Sequence, residues 1–154
     1  MSLFLHGMVT IDLTGIELQL RSQDDRMQVF DPVRRKWVVI TPEEHVRQRL
    51  LLYMINKLGY PAGLIAVEKK VTYGNLTRRF DIVVYNGKHE PWMMVECKEP
   101  DVPLTEKALY QLLSYHRTIP CKFWFLSNGH QNYCADASDT TEVRWISLLP
   151  AYER

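Results

Sequence analysis

Apolar and polar positions alternate in three short stretches near the start of the chain, "IELQL", "RMQVF" and "KWVVI", with the turn-forming pair Asp31-Pro32 between the last two. This pattern predicts a small antiparallel meander over about residues 15–40. The period then changes. In "TPEEHVRQRLLLYMINKLGYP", Val46, Leu50, Tyr53, Met54 and Leu58 recur at three- and four-residue steps, a stripe that predicts a helix from about 42 to 58. Thr41 as N-cap, Pro42 at the first helical position and Glu43 and Glu44 in the first turn mark its start, where acids complement the helix dipole; Gly59 and Pro61 close it.

Strand-like patterning returns in "AGLIAVEKKVTY" and "RRFDIVVYN", joined by Gly74-Asn75, and again in "EPWMMVECKEP" after Asn86-Gly87. Three consecutive hairpin-connected strands are expected. A second helix is expected from about Thr105 to Arg117, with Ala108, Leu109, Leu112, Leu113 and His116 on its stripe and Pro120 barring continuation. "KFWFLSNG" predicts a buried strand ending at Asn128-Gly129, and "EVRWISLLP" a last one. The order meander, α, βββ, α, β, β predicts an α/β chain of the α+β kind: a mixed sheet flanked by helices rather than a doubly wound parallel one.

Composition narrows the classes. The 154 residues suit one domain spanning 1–154, with a core over about 41–135. Hydrophobic residues make up 46% and charged ones 24%, and no apolar run is long enough for a bilayer, so no membrane partner is expected. "MSLFLHG" lacks a basic flank and a long apolar stretch, which argues against a signal peptide and for a cytoplasmic protein. Cys97, Cys121 and Cys134 fit neither a disulfide framework nor a zinc site and are read as reduced thiols. The five histidines, His6, His45, His89, His116 and His130, show no ligand spacing.

The formal charge of +1 exerts no strong pull on a polyanion, so the distribution of charge matters more than its sum. Basic residues cluster at Arg34, Arg35 and Lys36, at Lys69 and Lys70, and at Arg78 and Arg79. The last two pairs flank the hairpin that leads into Asp81, which makes them candidates for gripping DNA phosphates without reading sequence.

The chemistry centres on two charges inside an apolar run. In "MVECK", strand alternation puts Glu96 and Lys98 on one face with Met94, and Val95 and Cys97 on the other. In "RFDIVVY" the same rule groups Asp81 with Val83 and Tyr85, opposite Phe80, Ile82 and Val84. Pairing of these strands would gather Asp81, Glu96 and Lys98 at one end of the sheet. Burying such charges is costly unless they pair or bind metal, and oxygen ligands without thiolate or imidazole select Mg²⁺, with Mn²⁺ able to substitute. A phosphodiester is the natural substrate of that arrangement, with a metal-activated water as nucleophile and Lys98 orienting it or neutralising developing charge.

Asp81 followed by Glu96-Cys97-Lys98, after a helix with an early glutamate, resembles the PD-(D/E)XK nuclease superfamily. The segments "TPEEHVRQRLLLYMINKLGYP", "IAVEKKVTYGNLTRRFDIVVYNG", "VECKEP" and "LYQLLSYH", in that order over about residues 25–135, resemble more closely the N-terminal nuclease domain of type I restriction enzyme R subunits. The resemblance implies a restriction-endonuclease-like core with Asp81 and Glu96 as metal ligands, the backbone carbonyl of Cys97 as a further one and Lys98 as the catalytic lysine. It also matches Glu44 to the first-helix glutamate, with Glu43 its close competitor. Gln111 and Tyr115 fit a Gln-x-x-x-Tyr signature, which implies that Gln111 contacts the site or the DNA backbone while Tyr115 packs beside it and joins Lys69, Lys70, Arg78 and Arg79 as a candidate DNA-binding residue. Arg47 and Gln48 are either solvated helix residues or groups that orient the carboxylates. Phe80 stands where the superfamily often has proline. The chain has no helicase motor, DNA-recognition partner or methyltransferase, so a stand-alone Mg²⁺-dependent DNA endonuclease is expected, with a helicase or methyltransferase subunit supplied in trans. The alternative is an inactive nuclease fold that binds nucleic acid or a protein partner.

Overall fold

The structure, a computed structural model, describes residues 8–139 and 141–153. The "MSLFLHG" reading and His6 lie outside the described residues. Three strands form the meander: β1 (Leu20–Gln23), β2 (Arg26–Asp31) and β3 (Lys36–Val39), all antiparallel. The first strand starts later than its pattern predicts. Its position is set by the turn at Asp24 and Asp25, whose φ values of 55° and 61° suit a tight two-residue hairpin, so Gln23 pairs with Arg26.

Helix α1 (Pro42–Leu52) begins as expected, with the Thr41 hydroxyl accepting the Glu44 N–H at 3.1 Å. The expected last turn is there in a wider form: Tyr53–Lys57 is π-helical, and the Leu58 N–H reaches back five residues to the Tyr53 carbonyl. Gly59, at φ +71°, turns the chain out of the helix.

The main sheet follows: β4 (Ile65–Tyr73), β5 (Leu76–Tyr85), β6 (Pro91–Cys97), then helix α2 (Glu106–Ser114) with a short 3₁₀ turn over Tyr115–Arg117, then β7 (Phe123–Ser127), β8 (Asn132–Asp136) and β9 (Arg144–Ile146). These six strands lie side by side in chain order, antiparallel except for the parallel β6/β7 pair, whose crossover carries α2. It is the mixed sheet that the sequence predicts, with one strand more. "NYCAD" was not expected to be a strand, yet β8 pairs with β7 on one side and β9 on the other.

The helices cover opposite faces. Val46, Leu50, Leu51 and Met54 of the first helix and its extension pack in one core layer with Ile82, Val84, Met93, Val95 and Phe125. Leu109 and Leu112 of α2 pack in the other with Val83, Met94, Trp124 and Leu126. A strand covered on both faces needs apolar residues at nearly every position, and all seven residues of β6 are buried, Glu96 among them. Cys97, Cys121 and Cys134 are free buried thiols, and burial pushes the Cys121 thiol up to about 12. Among the described residues, no helix is long and apolar enough to cross a membrane.

One expected alternation fails. Phe80 packs in the α2-side layer with Val71 and Val83, not with Ile82 and Val84 on the α1 side. The break falls at Asp81, which pairs with neither neighbouring strand: the β4/β5 ladder joins Val67 to Ile82 and Lys69 to Phe80, and the β5/β6 ladder begins at Ile82 and Val95. Glu68, the residue facing Asp81 in that register, has a φ of +52°, uncommon for any residue but glycine.

Candidate functional site

The site is built beside the start of α1, where β6 ends against the middle of β5. The Asp81 carboxylate replaces the missing ladder bonds. Its Oδ2 accepts the Cys97 backbone N–H at 2.8 Å, and its Oδ1 accepts Arg47 Nη2 from α1 at 2.7 Å. This contact with Arg47 draws Asp81 toward α1, away from the Val83 and Tyr85 face on which strict alternation would put it.

Glu96 and Lys98 stand between two crevices. One, of about 260 Å³, is lined by Glu43, Arg47, Glu68, Arg79, Asp81, Glu96, Cys97 and Lys98. The other, under α2, is lined by Arg78, Glu96, Lys98, Gln111, Leu112 and Tyr115. Asp81, Glu96, Cys97 and Lys98 therefore come together at one end of the sheet, with Gln111 across the second crevice.

Glu96 is the strained member electrostatically. Burial, and next the negative charge of Asp81, push its carboxyl up to about 7, against the pull of Arg78 and Lys98. Its Oε1 is buried with no hydrogen-bond partner, while Oε2 receives only a long contact of 3.4 Å from Arg78. Burial and the Asp81 charge raise the Glu43 carboxyl too. The fold thus favours protonated Glu96, and the stability this contributes is full below pH about 4.5 and lost as pH rises through about 7. Without divalent ions the protein should be less stable at pH 8 than at pH 5, with Glu96 accounting for roughly 2–3 kcal/mol and Glu43 adding in the same sense. Chemical denaturation of wild type and Glu96→Gln at both pH values measures this. The Gln variant should be the more stable protein at pH 8 and show the flatter profile; identical profiles would refute the assignment.

Two expectations change here. Glu44, matched above to the first-helix glutamate, does not line either crevice: its oxygens accept Arg34 at 2.8 Å, Arg47 at 2.9 Å and Gln48 at 3.3 Å. Glu43 faces the site instead, because the helix rotates Glu44 inward onto a buried polar network. Arg78 is not a free phosphate contact. It pairs with Glu96 and lies over the Tyr115 ring at 4.7 Å and the Phe80 ring at 5.6 Å, since a guanidinium over aromatic faces is well placed to offset a buried acid. Tyr115 packs edge-on to Phe80 and lines the second crevice beside Gln111. Lys69, Lys70 and Arg79 are exposed, as expected of phosphate contacts.

Arg47 is one of the two alternatives left open, a buried group that holds Asp81 and Glu44, and Gln48 bonds Asp31 at 2.8 Å. Glu68 was not singled out from sequence. The signal was present, because the two-residue Gly74-Asn75 turn pairs Tyr73 with Leu76 and counts back to Glu68 opposite Asp81. Histidine plays no part in either crevice.

The family model described as type I restriction enzyme R protein N terminus matches residues 42–150, a span that holds both helices, the main sheet and every residue of the site. The chain belongs to that family. This membership, with the converging acids and lysine, makes it a restriction-endonuclease-like chain of a nuclease class. A crystal structure of a protein described as a candidate nuclease belonging to DUF820, from Anabaena variabilis ATCC 29413, aligns over 84% of this chain and 84% of its own, at 14% identity and a TM-score of 0.47. No curated protein matches the chain.

Proposed function

We propose that this chain is a Mg²⁺-dependent DNA endonuclease of PD-(D/E)XK type, working in the cytoplasm, with Asp81, Glu96 and Lys98 at its centre. The observation that carries the reading is the unpartnered, buried Glu96 oxygen beside the charge of Asp81. Two acids held together at a cost to stability call for a cation. Asp81 and Glu96, with the Cys97 carbonyl in the same crevice, form an all-oxygen donor set that fits Mg²⁺ or Mn²⁺ and offers nothing to a soft metal. Among the described residues no group of three or more His, Cys, Asp or Glu is already gathered as a metal cluster, and Arg47 and Arg78 engage Asp81 and Glu96.

Bound there, Mg²⁺ would supply an activated water and charge neutralisation at the scissile phosphate. The chain's own residues do the rest. Lys98 brings an ammonium to the side of Glu96 where negative charge would develop, Glu43 faces Asp81 and Lys98, and Gln111 borders the second crevice. Lys69, Lys70 and Arg79 give exposed cations for the DNA backbone. The partner proposed with it is a helicase or methyltransferase subunit acting in trans; the match to the N terminus of a type I restriction enzyme R protein supports subunit partners in general.

A second reading, a nuclease fold retained only for binding, draws on the two arginines that already engage the acids. A thermal titration separates the two. Mn²⁺ or Mg²⁺ at about 100 times its dissociation constant should stabilise wild type by about 2.7 kcal/mol and leave Asp81→Asn unmoved. No ion-dependent rise in the wild type would favour the binding module.

A further inference from the structure

Both terminal nitrogens of the Arg47 guanidinium are held by carboxylates. Nη1 donates to Glu44 Oε2 at 2.9 Å, while Nη2 donates to Asp81 Oδ1 at 2.7 Å and Glu43 Oε1 at 3.2 Å and lies 3.7 Å from Glu68 Oε1. Arg47 is 5% exposed, and its Nε is buried without a partner. Burial works against its charge, yet the hydrogen bond to Asp81 and the charges of Glu44 and Asp81 outweigh that and hold its pKa above the ordinary arginine value. A guanidinium does not deprotonate at any working pH.

The two acids at the centre are thus treated differently. The α1 side of Asp81 carries a fixed cation, whereas Glu96 has a buried oxygen with none. Moving Arg47 out would leave the buried carboxylates of Glu44 and Asp81 short of a counter-charge, with the more exposed Glu43 and Glu68 beside them, which disfavours its departure. Glu68 sustains this arrangement from an unusual backbone conformation and is also 3.3 Å from Arg34 Nη1.

We propose that Arg47 is a built-in cation that fills the α1 side of the site, so that the site accepts one divalent ion, shared by Asp81 and Glu96, and excludes a second. This rests on the metal-dependent reading above. Glu43, Asp81 and Glu68 are the kind of hard oxygen donors that hold Mg²⁺ or Mn²⁺, and Arg47 stands in their midst. Arg47 is on this account a positioning residue that sets metal number.

The test is a Mn²⁺ titration of the full chain, stripped of metal, with bound ions counted by the loss of the free-Mn²⁺ electron paramagnetic resonance signal. Wild type and Arg47→Lys should bind one ion, and Arg47→Ala should bind two. Arg47→Gln removes the charge while keeping a donor toward Asp81, so it should also bind two and serves if Arg47→Ala does not fold. Two ions in the wild type, or one in the folded neutral variants, would overturn the proposal and leave metal dependence standing. No ion in the wild type would overturn the metal-dependent reading, and this proposal with it.

Discussion

Lys98→Ala is expected to slow Mg²⁺-dependent DNA cleavage by about 10²- to 10³-fold, the cost of removing one preorganised electrostatic group from a reaction centre. The fold should survive. Lys98 lies just past the end of β6, its backbone N–H donates to the Ser127 carbonyl at 2.8 Å whatever its side chain, and its ammonium enters no ion pair among the described residues. It fronts both crevices and acts on Glu43 and Glu96 through its charge. On the proposed function, a lysine kept unpaired beside two acids serves a phosphate rather than stability. Initial rates of plasmid nicking, measured beside thermal unfolding of the same samples, separate the two roles. A normal rate, or a loss of rate that tracks unfolding, would contradict the catalytic assignment.

Asp31→Ala should have the largest effect on stability, about 3–5 kcal/mol, although Asp31 lies outside both crevices. Its carboxylate is fully buried and accepts the Val33 N–H at 2.8 Å, the Arg34 N–H at 2.7 Å, Arg34 Nε at 2.8 Å and Gln48 Nε2 at 2.8 Å. Burial alone would raise its pKa, but the hydrogen bonds from Arg34 and Gln48 and the Arg34 charge outweigh it and hold the group below the ordinary range. Removing it leaves buried donors without an acceptor and Arg34 without one of its two close counter-charges. The damage should reach the site, since Arg34 bonds Glu44, Glu44 bonds Arg47, and Arg47 bonds Asp81. Urea unfolding checks this against Arg35→Ala, an exposed neighbour whose loss should cost less than about 0.5 kcal/mol. Comparable losses in the two variants would deny Asp31 that role.

These two residues also mark what could be read from the sequence. "WMMVECKEP" was legible because a strand covered on both faces must be apolar throughout, so that Glu96 within it stood out as a buried charge. The helix starts were legible because Thr41 and Thr105 cap them through local bonds to Glu44 and Ala108. Asp31 was readable as a turn residue but not as the anchor of a buried network, because its partner Gln48 is 17 residues away and comes near only when the meander meets α1. The choice between Glu43 and Glu44 depends on how that helix is rotated over the sheet, which a capping pattern does not encode. Arg78 read as a surface cation because its counter-charge, Glu96, and its aromatic bed, Phe80 and Tyr115, lie on three different elements. β8 was missed because "NYCAD" has polar ends and little periodicity; the Phe125–Cys134 and Trp124–Ala135 pairings with β7 make it a strand.

On the proposed function, Asp81, Glu96 and Lys98 form a working metal-dependent nuclease centre. The most direct measurement is the time course of DNA cleavage by the wild-type chain with Mg²⁺ and with EDTA, on circular and linear duplexes, beside Lys98→Ala. Cleavage with Mg²⁺ that stops in EDTA and falls at least a hundredfold in Lys98→Ala is the expected result. Cleavage indifferent to EDTA, or equal in wild type and variant, would contradict it.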